Sequence, residues 1–185
     1  MLDKLVMPDN ISDDVIKLCA RNTHRYDKDL WLEIDKNRLF LRQYLLWVDK
    51  TNSLKDCYSA TEMFTEKWQD GEAFAYSVVL KSSGKAIGSI DIHNVNYDNH
   101  SAEIGYWLAE EHNGFGYMSR AVKLIENKAF FAGINRLVIA VQKENLPSAR
   151  VAEHNHYVYE GTLKQALYKY DSFYDEMIFA KLNKA

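Results

Sequence analysis

Residues 101–119 read SAEIGYWLAEEHNGFGYMS, and the spacing of the apolar residues changes part way along this stretch. Its first eight residues alternate with period two, which predicts a β-strand with one face in the core. The apolar face comprises Ala102, Ile104, Tyr106 and Leu108, and the other face comprises Ser101, Glu103, Gly105 and Trp107. After Gly116 the spacing becomes helical, which predicts an amphipathic helix that ends at Gly133. The helical stripe comprises Met118, Ala121, Val122, Ile125, Ala129 and Phe130.

The loop between this strand and helix carries two glycines, Gly114 and Gly116, directly before the helix. Glycine lets a backbone approach a ligand closely, and the first turn of a helix leaves N–H groups that bind anions. The loop therefore has the features of a phosphate site built from backbone amides. Taken alone, the two glycines fit better a turn that only needs positive φ. The Lys of a P-loop and the third glycine of a dinucleotide fingerprint are both missing.

The elements on either side of this stretch indicate one α+β domain, residues 1–185, with a mixed sheet. Two β-rich runs before it end in short polar turns, so the three consecutive strands predict an antiparallel meander. The predicted strands are 15–20, 74–80, 86–95, 101–108, 137–141, 157–167 and 173–182. The predicted helices are 29–47 with a break near residue 37, 55–69, the one that follows Gly116, and 147–155.

Composition and charge argue against several classes of protein. Of 185 residues, 47% are hydrophobic and 26% are charged, which is typical of a soluble globular protein. The net charge is −3 and no Lys/Arg run occurs, so we expect no nucleic-acid partner. We expect no membrane partner either, because no apolar run approaches the roughly 20 residues that span a bilayer. Cys19 and Cys57 form no paired motif, and no signal peptide is evident, so we expect a cytoplasmic protein.

Four motifs follow one another along the chain, two within residues 101–119 and two downstream of them. They are AEIGYWL at 102–108, GFGYMS at 114–119, NLPSARVA at 145–152 and EGTLKQA at 160–166. With them, residues 84–182 resemble the GNAT superfamily, specifically its RimJ/RimL-like branch of N-terminal protein acetyltransferases. Residues 39–48, LFLRQYLLWV, are similar to a helical segment of the same branch. The resemblance implies a GNAT-like α+β fold, in which helices flank a mixed, mostly antiparallel central sheet.

The resemblance also implies acetyl-CoA as co-substrate and a position for it. In this family the pantetheine arm extends the sheet beside the strand equivalent to residues 101–108, where two strands splay apart. The expected backbone contacts are Tyr106, Trp107, Leu108 and Ala109. The pyrophosphate is expected on the amides of residues 112–117, and Asn145 and Ser148 are expected at the thiol end. The loop and helix residues of this expected site are His112, Asn113, Gly114, Phe115, Gly116, Tyr117, Met118 and Ser119.

Direct attack of an amine on a thioester needs a base, because an alkylamine is protonated near neutral pH. Glu103 is the first candidate, since a carboxylate in a partly desolvated cleft can have its pKa raised. The alternative is that Glu103 pairs with a cation, and Asp91 and His93 are further candidates for the base. Relatives often carry a Glu where this chain has Leu167, and leucine cannot accept a proton.

Ser148 is the candidate proton donor to the leaving thiolate by the same resemblance. A Ser after Pro147 is also an ordinary first-turn residue, and Asn145 has the pattern of a helix N-cap. At residue 156 the family usually has a glycine, so His156 is strained if the position needs positive φ. His154 and His156 lie two apart and form no metal motif, so we expect no metal site.

The resemblance favours the N-terminal α-amino group of a protein, such as a ribosomal protein, as the acetyl acceptor. A small amine, such as an antibiotic or a polyamine, is the first alternative. A catalytically silent acyl-CoA-binding module is the second, because Leu167 removes a familiar base. A homodimer is left open.

Overall fold

The computed structural model describes residues 4–183, and one eight-stranded sheet forms its centre. The strands are β1 Asn10–Ser12, β2 Ile16–Ala20, β3 Phe74–Leu80, β4 Lys85–Asn96, β5 Ser101–Leu108, β6 Arg136–Gln142, β7 Val158–Lys169 and β8 Ser172–Leu182. Their order in the sheet is β1-β2-β3-β4-β5-β6-β8-β7. Only β5 and β6 run parallel, and every other neighbouring pair is antiparallel. The predicted α+β fold with a mixed, mostly antiparallel sheet is therefore confirmed.

Helices cover both faces of this sheet. The helices are α1 Asp27–Lys36, α2 Arg38–Leu41, α3 Leu54–Asp70, α4 Tyr117–Phe131 and α5 Leu146–His154. Ile104 and Leu108 of β5 pack in the main core with the buried stripe of α4, whereas Trp107 packs on the opposite face against residues of α1. The alternation read from residues 101–108 therefore sorts these side chains correctly onto the two faces. No helix within residues 4–183 is long and apolar enough to cross a membrane.

The segment after α2 differs from the predicted long helix. The helix ends at Leu41, and a short 3-10 helix follows at Leu46–Lys50. The Arg38 guanidinium donates to the carbonyl oxygens of Val48 at 2.6 Å and Thr51 at 2.7 Å, which folds the chain back. This contact between a helix and the following turn is tertiary, so a local apolar period cannot reveal it. Strand β1 was also missed, because three residues are too few to show a period.

The tip of the β7–β8 hairpin is fastened to the chain that follows α2. The Tyr170 hydroxyl lies 2.7 Å from a carboxylate oxygen of Asp49. Lys169 is almost fully buried, and its ammonium contacts the Gln43 carbonyl oxygen across 126 positions of sequence. The same ammonium lies 5.4 Å from the ring centre of Tyr44 and 4.9 Å from that of Tyr174. We call this arrangement the hairpin clamp.

Candidate active site

The strands β5 and β6 separate part way along the sheet. They pair only through Ser101–Glu103 and Arg136–Val138. Beyond that point β6 still pairs with β8 as far as Gln142, whereas the β6 side of residues 104–108 has no strand partner in the described chain. A gap therefore opens beside the second half of β5.

The backbone groups that face this gap follow from the β4–β5 ladder. Ala109 donates its N–H to the Ile87 carbonyl oxygen at 3.0 Å, which directs residue 109 towards β4. Backbone hydrogen bonds alternate along an antiparallel pair, so Trp107 also faces β4, while Tyr106 and Leu108 face the gap. The Ala109 carbonyl oxygen accepts from the His112 N–H at 3.0 Å. Both polar groups of the Ala109 backbone are therefore used within the fold, and its contact with the cofactor stays a prediction.

The loop before α4 holds a row of backbone amides without partners. Gly114 and Gly116 have φ of +84° and +76°, so both adopt the left-handed conformation that glycine allows. Within the described chain, no hydrogen-bond acceptor meets the N–H groups of residues 114–119, and no side chain caps α4. Such a nest at the positive end of a helix fits a pyrophosphate.

The amides of His112 and Asn113 do not belong to this nest. They donate to the carbonyl oxygens of Ala109 at 3.0 Å and Glu110 at 3.1 Å, within a 3-10 turn. The free amides therefore run over residues 114–119, whereas the predicted pyrophosphate contacts run over residues 112–117. Phe115 is 65% exposed at the rim, and its ring stacks on that of Tyr117 with centres 5.7 Å apart.

A cleft of ≈ 90 Å³ brings together part of the predicted site beside the gap. The predicted residues that line it are Tyr106, Trp107, Leu108, Asn113, Met118, Asn145 and Ser148. Phe40, Tyr44 and Leu45, from α2 and the turn after it, line the cleft as well. The remaining predicted residues of the loop, such as His112 and Ser119, do not line this cleft.

Ser148 and Tyr106 form a hydrogen-bonded pair across the cleft. The Ser148 hydroxyl donates to the Tyr106 hydroxyl oxygen at 3.0 Å, and the Tyr106 hydroxyl lies 3.0 Å from the Ser148 carbonyl oxygen. Burial raises the pKa of Tyr106 to about 12, so it stays neutral. Asn145 is the N-cap of α5, where its side chain accepts from the Ser148 N–H at 3.3 Å. The sequence pattern placed Tyr106 on the core face but gave no sign of this pairing.

Glu103 lies in a charged group with His93 and Asp91. His93 Nδ1 is 2.6 Å from Asp91, and its Nε2 is 3.7 Å from Glu103, whose other oxygen accepts from Asn94 at 3.0 Å. The close contact with the His93 imidazole lowers the pKa of Glu103 despite partial burial. The expected increase in its pKa is therefore wrong, and the alternative of pairing with a cation describes the structure.

A second cavity, of ≈ 210 Å³, lies in the gap itself. Tyr106, Asn145 and Ser148 line it together with Leu167 of β7 and Glu176 of β8. Glu176 is half-buried, and no hydrogen bond or ion pair engages its carboxylate among residues 4–183. Burial, with the nearby charge of Glu103, raises the pKa of Glu176. Sequence reasoning missed this residue, although a carboxylate within a mostly apolar strand was a visible signal.

One group of acidic and histidine side chains lies beside the nest. Glu33, Glu111 and His112 bring potential ligand atoms within 4.8 Å of one another. The Lys36 ammonium contacts Glu111, which lowers the pKa of that carboxyl. An ion pair at the surface therefore accounts for part of this group.

The chain that carries the splayed strands and the amide nest also matches a known protein family. The acetyltransferase (GNAT) domain matches residues 17–158, so the chain belongs to the GNAT acetyltransferase family. The ribosomal-protein-serine acetyltransferase of Escherichia coli (strain K12) is 33% identical over 156 residues, which cover 84% of this chain and 86% of that protein. This similarity supports the RimJ/RimL-like branch.

Two solved structures share nearly the whole fold. RimL, a ribosomal L7/L12 α-N-protein acetyltransferase in complex with coenzyme A, has a TM-score of 0.86 at 27% identity, with 94% of this chain and 97% of that chain covered. The microcin C7 self-immunity acetyltransferase MccE, in complex with acetyl-CoA and AMP, has a TM-score of 0.89 at 25% identity, with 97% and 99% covered.

Proposed function

We propose that this chain acts in the cytoplasm and transfers an acetyl group from acetyl-CoA to the N-terminal α-amino group of a protein. The observation that carries the donor is the nest at residues 114–119 beside the open edge of β5. Support for the acceptor comes from two relatives, one that acetylates a serine of a ribosomal protein and one that acts on L7/L12.

The donor, acetyl-CoA, fits both the amide nest and the open edge of β5. The nest would hold the pyrophosphate, because its amides point outward at the start of a helix of 15 residues. The backbone groups of Tyr106 and Leu108 would pair with the amides of the pantetheine arm, as a strand would. Asn145 and Ser148 would then lie near the thioester, where Ser148 is the proposed proton donor to the leaving sulfur.

A small amine is the second candidate for the acceptor. The MccE structure contains AMP as well as acetyl-CoA, and AMP is a small molecule rather than a protein. In this chain a cavity of ≈ 260 Å³ borders Trp107 on the α1 and α3 side of the sheet, with Trp47, Met63 and Phe64 in its wall. A compact organic group would fit this cavity.

The decisive experiment compares acceptors in one assay of thiol release from acetyl-CoA. Peptides with a free N-terminal serine or alanine are set against the same peptides blocked at the N-terminus, and against a polyamine and an aminoglycoside. We expect turnover with the free peptides and none with the blocked ones. Turnover with the small amines alone would show that the acceptor is a small amine and not a protein. Tight acetyl-CoA binding without turnover on any amine would favour the catalytically silent acyl-CoA-binding module.

A homodimer stays a prediction. Exposed apolar side chains on the β7–β8 hairpin, such as Val158, Leu163 and Phe173, would suit a contact with a second copy. Sedimentation velocity over a range of concentrations tests this directly, and a constant monomer mass would exclude the dimer.

A further inference from the structure

The gap between β5 and β6 contains a carboxylate that the predicted mechanism does not use. Glu176 stands on β8 opposite Gln142 of β6, at the end of β6 where the gap opens. Its cavity is also lined by Ser148 and Tyr106, so the side chain faces the place where the thioester would lie. Among the residues that line this cavity, Glu176 is the only carboxylate.

We propose that Glu176 is the general base that deprotonates the acceptor amine. This inference rests on the proposed acetyl transfer and adds a catalytic residue to it. Three observations carry it: the carboxylate lines the gap cavity, it has no partner within the described chain, and it shares that cavity with Leu167. The cavity therefore contains a carboxylate on β8, although its β7 wall carries a leucine.

The other carboxylates near the gap are already engaged. Glu103 is held by His93 and Asn94, and Asp91 is held by His93. Glu144, just after β6, accepts from the Gln142 amide at 2.9 Å. A base must have a free lone pair within reach of the proton that it removes. Glu176 meets this condition, whereas each competing carboxylate would first have to break a hydrogen bond.

Gln142 is the neighbour of Glu176 across the β6–β8 pair and also lines the gap cavity. Its side-chain carbonyl oxygen is buried without a hydrogen-bond donor, and the residue is only 9% exposed. This oxygen has almost no accessible surface, so an ammonium group in the cavity would meet the Glu176 carboxylate, and the Gln142 oxygen only if that side chain moved. The acceptor is thereby bound in its charged form and loses its proton where the attack takes place.

The proton balance is closed by groups that line the same cavity. The ammonium gives one proton to Glu176, which returns it to solvent. The free amine then forms a bond to the acetyl carbon, and the carbon–sulfur bond breaks. After this bond has formed, the nitrogen carries one excess proton and passes it through the Ser148 hydroxyl to the thiolate, so the products are an amide and a neutral thiol.

Several titratable groups surround Glu176 and set its behaviour with pH. Glu103 on β5 disfavours its charged form, as does burial, and together they raise its pKa. The Tyr106 hydroxyl, which is neutral, and the side chain of Tyr44 line the same cavity. Lys169 and Glu144 lie behind Tyr44 and Gln142, at the walls of the neighbouring cavities. Activity should therefore rise with pH as Glu176 loses its proton.

The test is Glu176→Gln with Glu153→Gln as the matched control, because Glu153 is exposed on α5 and away from the gap. With whichever amine the wild type accepts, we expect turnover by Glu176→Gln to fall ~10²–10⁴-fold while coenzyme A binds with unchanged affinity. The low-pH limb of the rate profile should disappear in this variant. Adding Leu167→Glu to Glu176→Gln should restore part of the rate, because residue 167 lines the same cavity.

A measurement without acetyl-CoA gives an independent result. Carboxyl ¹³C NMR of the free protein should show a carboxyl that titrates above the ordinary glutamate range and is absent from Glu176→Gln. Unchanged turnover and pH profile in Glu176→Gln, with the amine that the wild type uses, would overturn the assignment and leave the acetyl transfer intact. Turnover with small amines alone would overturn the protein acceptor and leave the assignment of Glu176 intact.

Discussion

His93 lies between two carboxylates, and this makes part of the stability depend on pH. Burial disfavours its charged form, but the hydrogen bond with Asp91 and the nearby charge of Glu103 outweigh it and raise the pKa from 6.5 to about 9. A raised pKa in the folded state stabilises the protein fully below the unfolded pKa of 6.5. That stabilisation is lost as the pH rises through about 9.

We therefore expect His93→Gln to lower the free energy of unfolding at pH 6 by about 1 kcal/mol, and by less at pH 9.5. The figure is discounted because 36% of the His93 side chain is exposed, so solvent screens the pair. Urea denaturation at both values of pH measures the difference. His154→Gln, on an exposed histidine of α5, is the control and should show no such dependence. An equal loss at both values would contradict the ion-pair account.

In the loop before α4, the strain of the backbone conformation and the binding of the proposed ligand can be tested separately. Gly116 has φ of +76° and Gly84, in the β3–β4 turn, has φ of +70°. An added methyl group would meet no atom within 4 Å at either position. Ala at either residue should therefore destabilise the fold similarly, by about 1–2 kcal/mol, because only the strained φ matters.

The two substitutions should differ in their effect on the donor. We expect Gly116→Ala to weaken coenzyme A binding by at least about tenfold, which corresponds to about 1.4 kcal/mol, because the amides of the nest would turn away from the phosphates. Gly84→Ala should leave the affinity unchanged. Isothermal titration with coenzyme A measures both constants. Equal affinities in the two variants would show that the glycines serve only the turn.

Other elements show what the sequence could and could not predict. The strand at 101–108 and the helix after Gly116 were predicted because their apolar periods are local and long. The position of Glu176 depends on β8 inserting between β6 and β7, so the register with Gln142 joins distant parts of the chain. The free amides begin two residues after the start of the predicted pyrophosphate span, because a 3-10 turn uses the amides of His112 and Asn113.

At the scale of the whole molecule, the gap leaves two parts of the sheet joined by only three residue pairs between β5 and β6. A ligand that bridges the gap should therefore stabilise the entire fold. Coenzyme A at 100 times its dissociation constant should add about 2.7 kcal/mol, which raises Tm by about 5–10 °C for a chain of this size. Differential scanning calorimetry tests this, with pantetheine alone as the control. An unchanged Tm would mean that coenzyme A does not bind the native state.

The hairpin clamp has a consequence for the order in which the protein is made. Lys169 and Tyr170 fasten the chain around Gln43 and Asp49, and Glu176 follows on β8. During synthesis this edge of β6 stays unpaired until residues 172–182 have emerged from the ribosome, because β8 is its partner there. The acceptor cavity is thus completed only after β8 has emerged, so a nascent chain that already holds the amide nest still lacks the cavity in which an amine would react.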